Sequence, residues 1–135
     1  MFDFQGMRPA TGGQRAFFHV AAAFNFVAAA VLVLLARTAP HLLGLAPPDV
    51  SQLFYVDLFA WLVLAFGVGY ALGGRDLPRF WPYIAMGAVG KAGVAALALA
   101  YFVAGRTGAL VMALASCDAI FAILFVRILR TQSDR

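Results

Sequence analysis

Lys91 is the chain's only lysine, and it stands in the middle of an apolar stretch running from Trp81 to Ala104. Asp118 stands in the middle of the next one, Gly108 to Leu129. Ionisable groups in such surroundings are costly, so those that persist usually face a bundle interior or water and have a partner. Counted along helices at 1.5 Å per residue, each lies about 15 Å from its own helix start, the two approaching from opposite ends. The link between the stretches is only Gly105-Arg106-Thr107-Gly108, which forces antiparallel neighbours. An ion pair between Lys91 and Asp118 is therefore the least costly arrangement for both charges. Such a pair acts as a structural lock or as part of a proton or ion relay, and the lock is the simpler reading.

Two further polar residues qualify. Asp57 enters its apolar stretch by only about 8 Å, and its helical neighbours Phe54, Trp61 and Ala65 set one carboxylate beside an aromatic wall. That stripe could border a small ligand cavity at Trp61 and Asp57. Asn25 lies deep in the first apolar stretch on an alanine face, where its amide reads as glue across a helix contact. No catalytic set emerges. Ser116, Cys117 and Asp118 are consecutive, which on a helix points them in different directions. His19 and His41 fall on opposite sides of the predicted bundle without carboxylates at ligand spacing, so neither a metal nor a haem site is expected. The reading is of a protein without cofactor and without enzymatic activity. Cys117 offers no disulfide or CxxC pair and reads as a packing residue.

Positioning these groups requires helices in a bilayer. Of 135 residues, 64% are hydrophobic and 12% charged, far from the balance of a water-soluble domain. A spanning helix needs about 20 mainly apolar residues. Four stretches meet that length, approximately 16–36, 53–72, 81–104 and 108–129. The expected fold is a single all-α domain, an up-down antiparallel bundle of four transmembrane helices. The first apolar run exceeds a secretory h-region, so it reads as a retained helix.

Turn chemistry separates the runs. Thr38-Ala39-Pro40 ends the first, and Asp49 or Ser51 could cap the second. Gly73-Gly74-Arg75-Asp76-Leu77-Pro78 reads as a helix-free loop, with Pro82 in the first turn of the third helix and Thr107 capping the fourth. Phe17, Phe18, Phe54, Tyr55, Tyr70, Trp81, Tyr83 and Tyr101 fall near the predicted interfaces and read as anchors and core. Gly87, Gly90, Gly93, Ala95, Ala96 and Ala98 in the third helix, with Ala21, Ala22, Ala28 and Ala29 in the first, read as close-packing faces. An echo between Asp57-Leu58-Phe59-Ala60 and Asp118-Ala119-Ile120-Phe121-Ala122 raises a parallel duplication, which the different depths of the two aspartates oppose.

A net charge of +4 does not imply nucleic acid, because the basic residues sort by membrane side. Arg8, Arg15, Arg75, Arg79, Arg127, Arg130 and Arg135 share one face, against Arg37 and Arg106 on the other. The positive-inside rule then puts both termini in the cytoplasm of a multi-pass inner-membrane protein.

The run Gly67-Val68-Gly69-Tyr70, then Arg75-Asp76 and Arg79, Gly87 to Lys91, and Asp118 to Phe125 resembles a pattern in small bacterial four-helix membrane proteins of the DoxX type. The likeness lies in helix number and glycine placement over the last three helices, and it implies no chemistry. The size is also similar to that of small multidrug exporters. Their first-helix carboxylate has no counterpart here, and the arginine bias opposes dual insertion. The leading expectation is an accessory or interaction subunit in contact with the lipid bilayer, as a homo-oligomer or in a larger membrane complex. The alternatives are a small transporter or channel using Asp57, Lys91 and Asp118, and a binding module for a lipid or hydrophobic metabolite.

Overall fold

The computed structural model describes residues 6–133. Arg135, which entered the charge reading, lies outside the described residues. The described chain is all-helical: α1 (Gly12–Thr38), a short 3₁₀ turn (Pro40–Leu43), α2 (Val50–Arg75), α3 (Leu77–Val103) and α4 (Ala109–Ser133). Each of the four long helices is long and apolar enough to cross a membrane. At 25 to 27 residues apiece they run about 40 Å, longer than the apolar stretches alone.

The extra length comes from caps. Thr11 Oγ1 accepts from the Gln14 backbone while Gln14 Oε1 accepts from the Thr11 backbone, a reciprocal box that starts α1 before its apolar run. Asp49 and Gln52 repeat the device on α2, where Ser51 Oγ donates to Asp49 Oδ1 at 2.6 Å. Those hydrogen bonds, the Ser51 hydroxyl first, hold the Asp49 carboxyl below its ordinary pKa.

Several sequence expectations are corrected. Gly73 and Gly74 lie inside α2, packed against neighbouring helices: a Cβ on Gly73 would press on the Ile84 side chain, and one on Gly74 would come within 3.3 Å of the Arg15 carbonyl. The break between α2 and α3 is Asp76 alone, which ends one helix and caps the next through Arg79. Pro82 consequently sits inside α3, past its first turn. At α4 the cap position is Gly108, whose carbonyl accepts from Met112, and not Thr107. Cys117 is exposed and so is not a core packing residue.

α1 pairs closely with α2, and α3 with α4; α2 meets α3, while the backbones of α1 and α4 stay apart. Rings fill that last seam: Phe17 meets Phe121 and Phe125, Phe18 meets Phe125, and Phe24 meets Phe121, all with centroids within 6 Å. Of the rings read from the sequence as anchors and core, Phe18 and Tyr70 are fully buried and belong to the core. Gln132 Nε2 donates to Gln14 Oε1 and ties the end of α4 to the start of α1.

Bulky apolar side chains such as Val20, Val27, Leu34, Val89, Leu97, Ile120 and Ile123 point outward, while alanines, glycines and aromatic rings fill the interior. A domain solvated by water would reverse that sorting. In lipid the outward chains cost nothing, and small inward residues let helices approach.

Candidate functional site

The polar centre of the bundle is assembled from three helices. The Lys91 ammonium, on α3 and only 5% exposed, donates to Asp118 Oδ1 on α4 and to Asn25 Oδ1 on α1, the latter at 2.8 Å. Asn25 Nδ2 donates in turn to the Val63 carbonyl on α2 at 2.9 Å. All four helices are thus connected through one amine, one carboxylate, one amide and one backbone carbonyl. The rings of Phe24, Tyr70 and Phe121 surround the ammonium with centroids 5.2 to 5.5 Å away, close enough for cation–π attraction. An amine buried in hydrocarbon needs this enclosure, because no water is present to solvate it.

Asn25 is where sequence reasoning fell short. It lies two helices before Lys91 and three before Asp118 in the chain, and no spacing rule links it to Lys91. The available signal was its type: a lone amide in an alanine-lined helix needs partners for both its carbonyl and its NH₂.

Asp57 lies elsewhere. Its Oδ2 accepts from Arg37 at 2.7 Å, and both side chains are substantially exposed at the loop end of the α1–α2 hairpin. Arg37 also donates to the Val33 carbonyl and stands in the last turn of its helix, where a cation complements the backbone dipole. Trp61 is 66% exposed and faces outward. Neither Trp61 nor Asp57 lines the cavity found among the helices, and Asp57 pairs with Arg37 at the loop end and not with Lys91. The reason is rotational: Asp57 turns toward Arg37 on the neighbouring helix, which carries Trp61 out with it.

A cavity of about 250 Å³ does exist on the loop side of the polar centre. Asn25, Lys91, Asp118, Phe24 and Tyr70 form its floor, and residues such as Val31, Val63, Val94, Val111 and Leu114 form walls drawn from all four helices. Leu43, buried in the 3₁₀ turn, also lines it. That turn is held against α4 by two bare backbones: a Cβ on Gly44 would stand 2.6 Å from the Gly108 nitrogen, and Gly44 adopts φ of 72°. Phe59 and Leu62 line the cavity yet are 44% and 51% exposed, so the wall at α2 reaches the bilayer.

On the other side of the polar centre the bundle is solid. Phe18, Tyr70, Leu77, Ile84, Phe125 and Leu129 pack there with Met7 and Ala10 from the segment before α1. Apart from the Tyr70 hydroxyl, that described core cluster contains no ionisable group to extend a proton path. Among the described residues no group of three His, Cys, Asp or Glu side chains comes together as a metal site.

No family model, curated protein or solved structure matches this chain.

Proposed function

We propose that this protein binds a small, largely apolar molecule within the membrane, in the cavity above the Lys91–Asp118–Asn25 centre. The observation that carries the reading is the cavity itself: apolar walls from four helices converge on a floor holding three polar side chains. Ligand sites have this composition, with apolar lining for affinity and a few fixed polar groups for orientation. A pure structural lock requires no void beside it, because interiors normally close to crystal-like density. A transmembrane relay requires a series of polar groups on both sides of the centre, and on the side of the termini the buried apolar cluster offers the Tyr70 hydroxyl. The binding reading therefore goes ahead of the accessory-subunit and relay readings.

The ion pair serves both folding and binding in this view. It holds α3 to α4 and presents its free donor and acceptor sites upward. The protein acts without catalysis. It resides in a bacterial inner membrane with both termini cytoplasmic, in the orientation favoured by its arginine bias. In layout it joins the DoxX-type four-helix proteins, a likeness that names no ligand.

Thermal unfolding of the full chain in mild detergent tests the binding. Naphthalene, of a size to enter the cavity, should raise the midpoint, since a ligand that binds only the folded state stabilises it. Ala115→Phe, which fills the cavity from a buried wall position, should abolish the rise. An unchanged midpoint in the native chain, or the same rise in Ala115→Phe, sinks the proposal.

A further inference from the structure

We infer that the floor of this cavity selects a neutral ligand carrying a hydroxyl group, whose oxygen accepts from Lys91 and whose proton goes to Asp118. The inference rests on the cavity being a ligand site and names what that site recognises.

The donor count comes first. A lysine ammonium carries three N–H donors. Two are engaged, by Asp118 Oδ1 and Asn25 Oδ1, which leaves one, with the rings of Phe24, Tyr70 and Phe121 around the ammonium. The acceptor count is complementary. Asp118 uses one oxygen for Lys91, lines the cavity, and keeps 17% of its side chain accessible, so lone pairs remain on the cavity side. Lys91 and Asp118 both line the cavity, so this unused capacity lies beside the space an incoming group would fill.

Charge decides the class of that group. Lys91 and Asp118 cancel, so an ion entering the cavity would arrive as an uncompensated charge in apolar surroundings. A neutral group is required. A ketone or ether oxygen only accepts and leaves Asp118 unmatched. A primary amide donates and accepts but brings a further N–H with no partner on apolar walls. A hydroxyl offers one donor and two lone pairs on a single atom, matching both unused positions at once.

Volume and position set the remainder. At ordinary packing density a cavity of about 250 Å³ holds roughly ten heavy atoms, a fused pair of rings or a short branched chain. Any longer apolar tail would leave past Phe59 and Leu62 into the lipid. The ligand class is accordingly a membrane-soluble alcohol or phenol, bound hydroxyl-first with its apolar body above.

The experiment compares naphthol, its methyl ether, naphthalene and the ketone tetralone on the full chain in detergent, with affinities referred to mole fraction in the micelle. Naphthol should bind about tenfold more tightly than each of the others, the effect of a hydrogen bond to a charged partner. In Lys91→Met with Asp118→Leu, which removes both charges together, naphthol should fall to the affinity of naphthalene. Equal binding of naphthol and its methyl ether by the native chain overturns the hydroxyl assignment, and tetralone binding as tightly as naphthol overturns the role of Asp118 as acceptor. A preference that survives the double substitution overturns the assignment to this pair. The native series needs no variant and decides the matter even if the double variant does not fold. Failure of naphthalene itself to bind would instead remove the cavity reading, so the two failures are distinguishable.

Discussion

The two halves of the bundle, divided at Lys91, are built from the same apolar alphabet and packed in opposite ways. Toward the termini, glycines bring backbones against side chains: a Cβ on Gly87 would overlap Tyr70 at 2.3 Å, and one on Gly67 would meet Phe26 at 2.6 Å. Aromatic rings fill what is left. Toward the loops, Gly90, at the edge of the cavity, has nothing closer than 3.9 Å, and the space between helices stays open. The difference teaches that small residues alone do not make a close contact. They do so only where a neighbouring helix offers a ring or a backbone to receive them, and α2 and α3 meet that condition near their shared Asp76 link.

The largest effect should come at the border between the halves. Asp118→Leu leaves the Lys91 ammonium without its carboxylate, and loss of one partner of a buried pair costs about 3 to 5 kcal/mol. The thermal midpoint in detergent should fall steeply, and adding Lys91→Met to the same chain should restore much of the loss. A double variant as unstable as the single one would show that the packing of these residues, and not their charge, divides the halves.

The same substitution placed in each half sharpens the comparison. Ala21→Leu, in the solid half, should cost about 1 to 3 kcal/mol through overpacking. Ala115→Leu, facing the cavity, should cost little or stabilise the fold. Equal losses would mean that the cavity is not a real void. Glycine replacements make the same contrast on a single helix: Gly87→Ala should destabilise by about 1 to 3 kcal/mol, whereas Gly90→Ala should not. Chemical or thermal unfolding of the pair measures it.

Asn25→Leu should cost about 1 to 2 kcal/mol, by removing one acceptor from Lys91 and leaving the Val63 carbonyl without its side-chain donor. Smallest of all is Arg37→Ala. Its pair with Asp57 is exposed at the loop end, so the thermal midpoint should move little, and any change should shrink with added salt. A large, salt-insensitive loss would make that pair a clasp of the hollow half.

Much of this fold follows from local features of the chain. Four apolar stretches of spanning length predict four helices, and the four-residue link from Gly105 to Gly108 makes α3 and α4 antiparallel neighbours. Residue counts from that link bring Lys91 and Asp118 to similar depth, which is why their meeting could be reasoned out. The helix ends were less legible. Gly73 and Gly74 carry a strong breaking signal, but they are helical and packed against neighbouring helices.

Length and hydropathy thus determine how many helices form and which are adjacent, because both are properties of contiguous residues. The rotation of each helix about its axis is another matter. Apolar residues surround these helices on nearly every side, so no stripe marks the inward face, and polarity gives no hint of it. Only the assembled bundle decided that Asn25 meets Lys91, that Asp57 and Trp61 turn away, and that a cavity lies above the ion pair. Those outcomes depend on how rings and bare backbones from distant parts of the chain fit together.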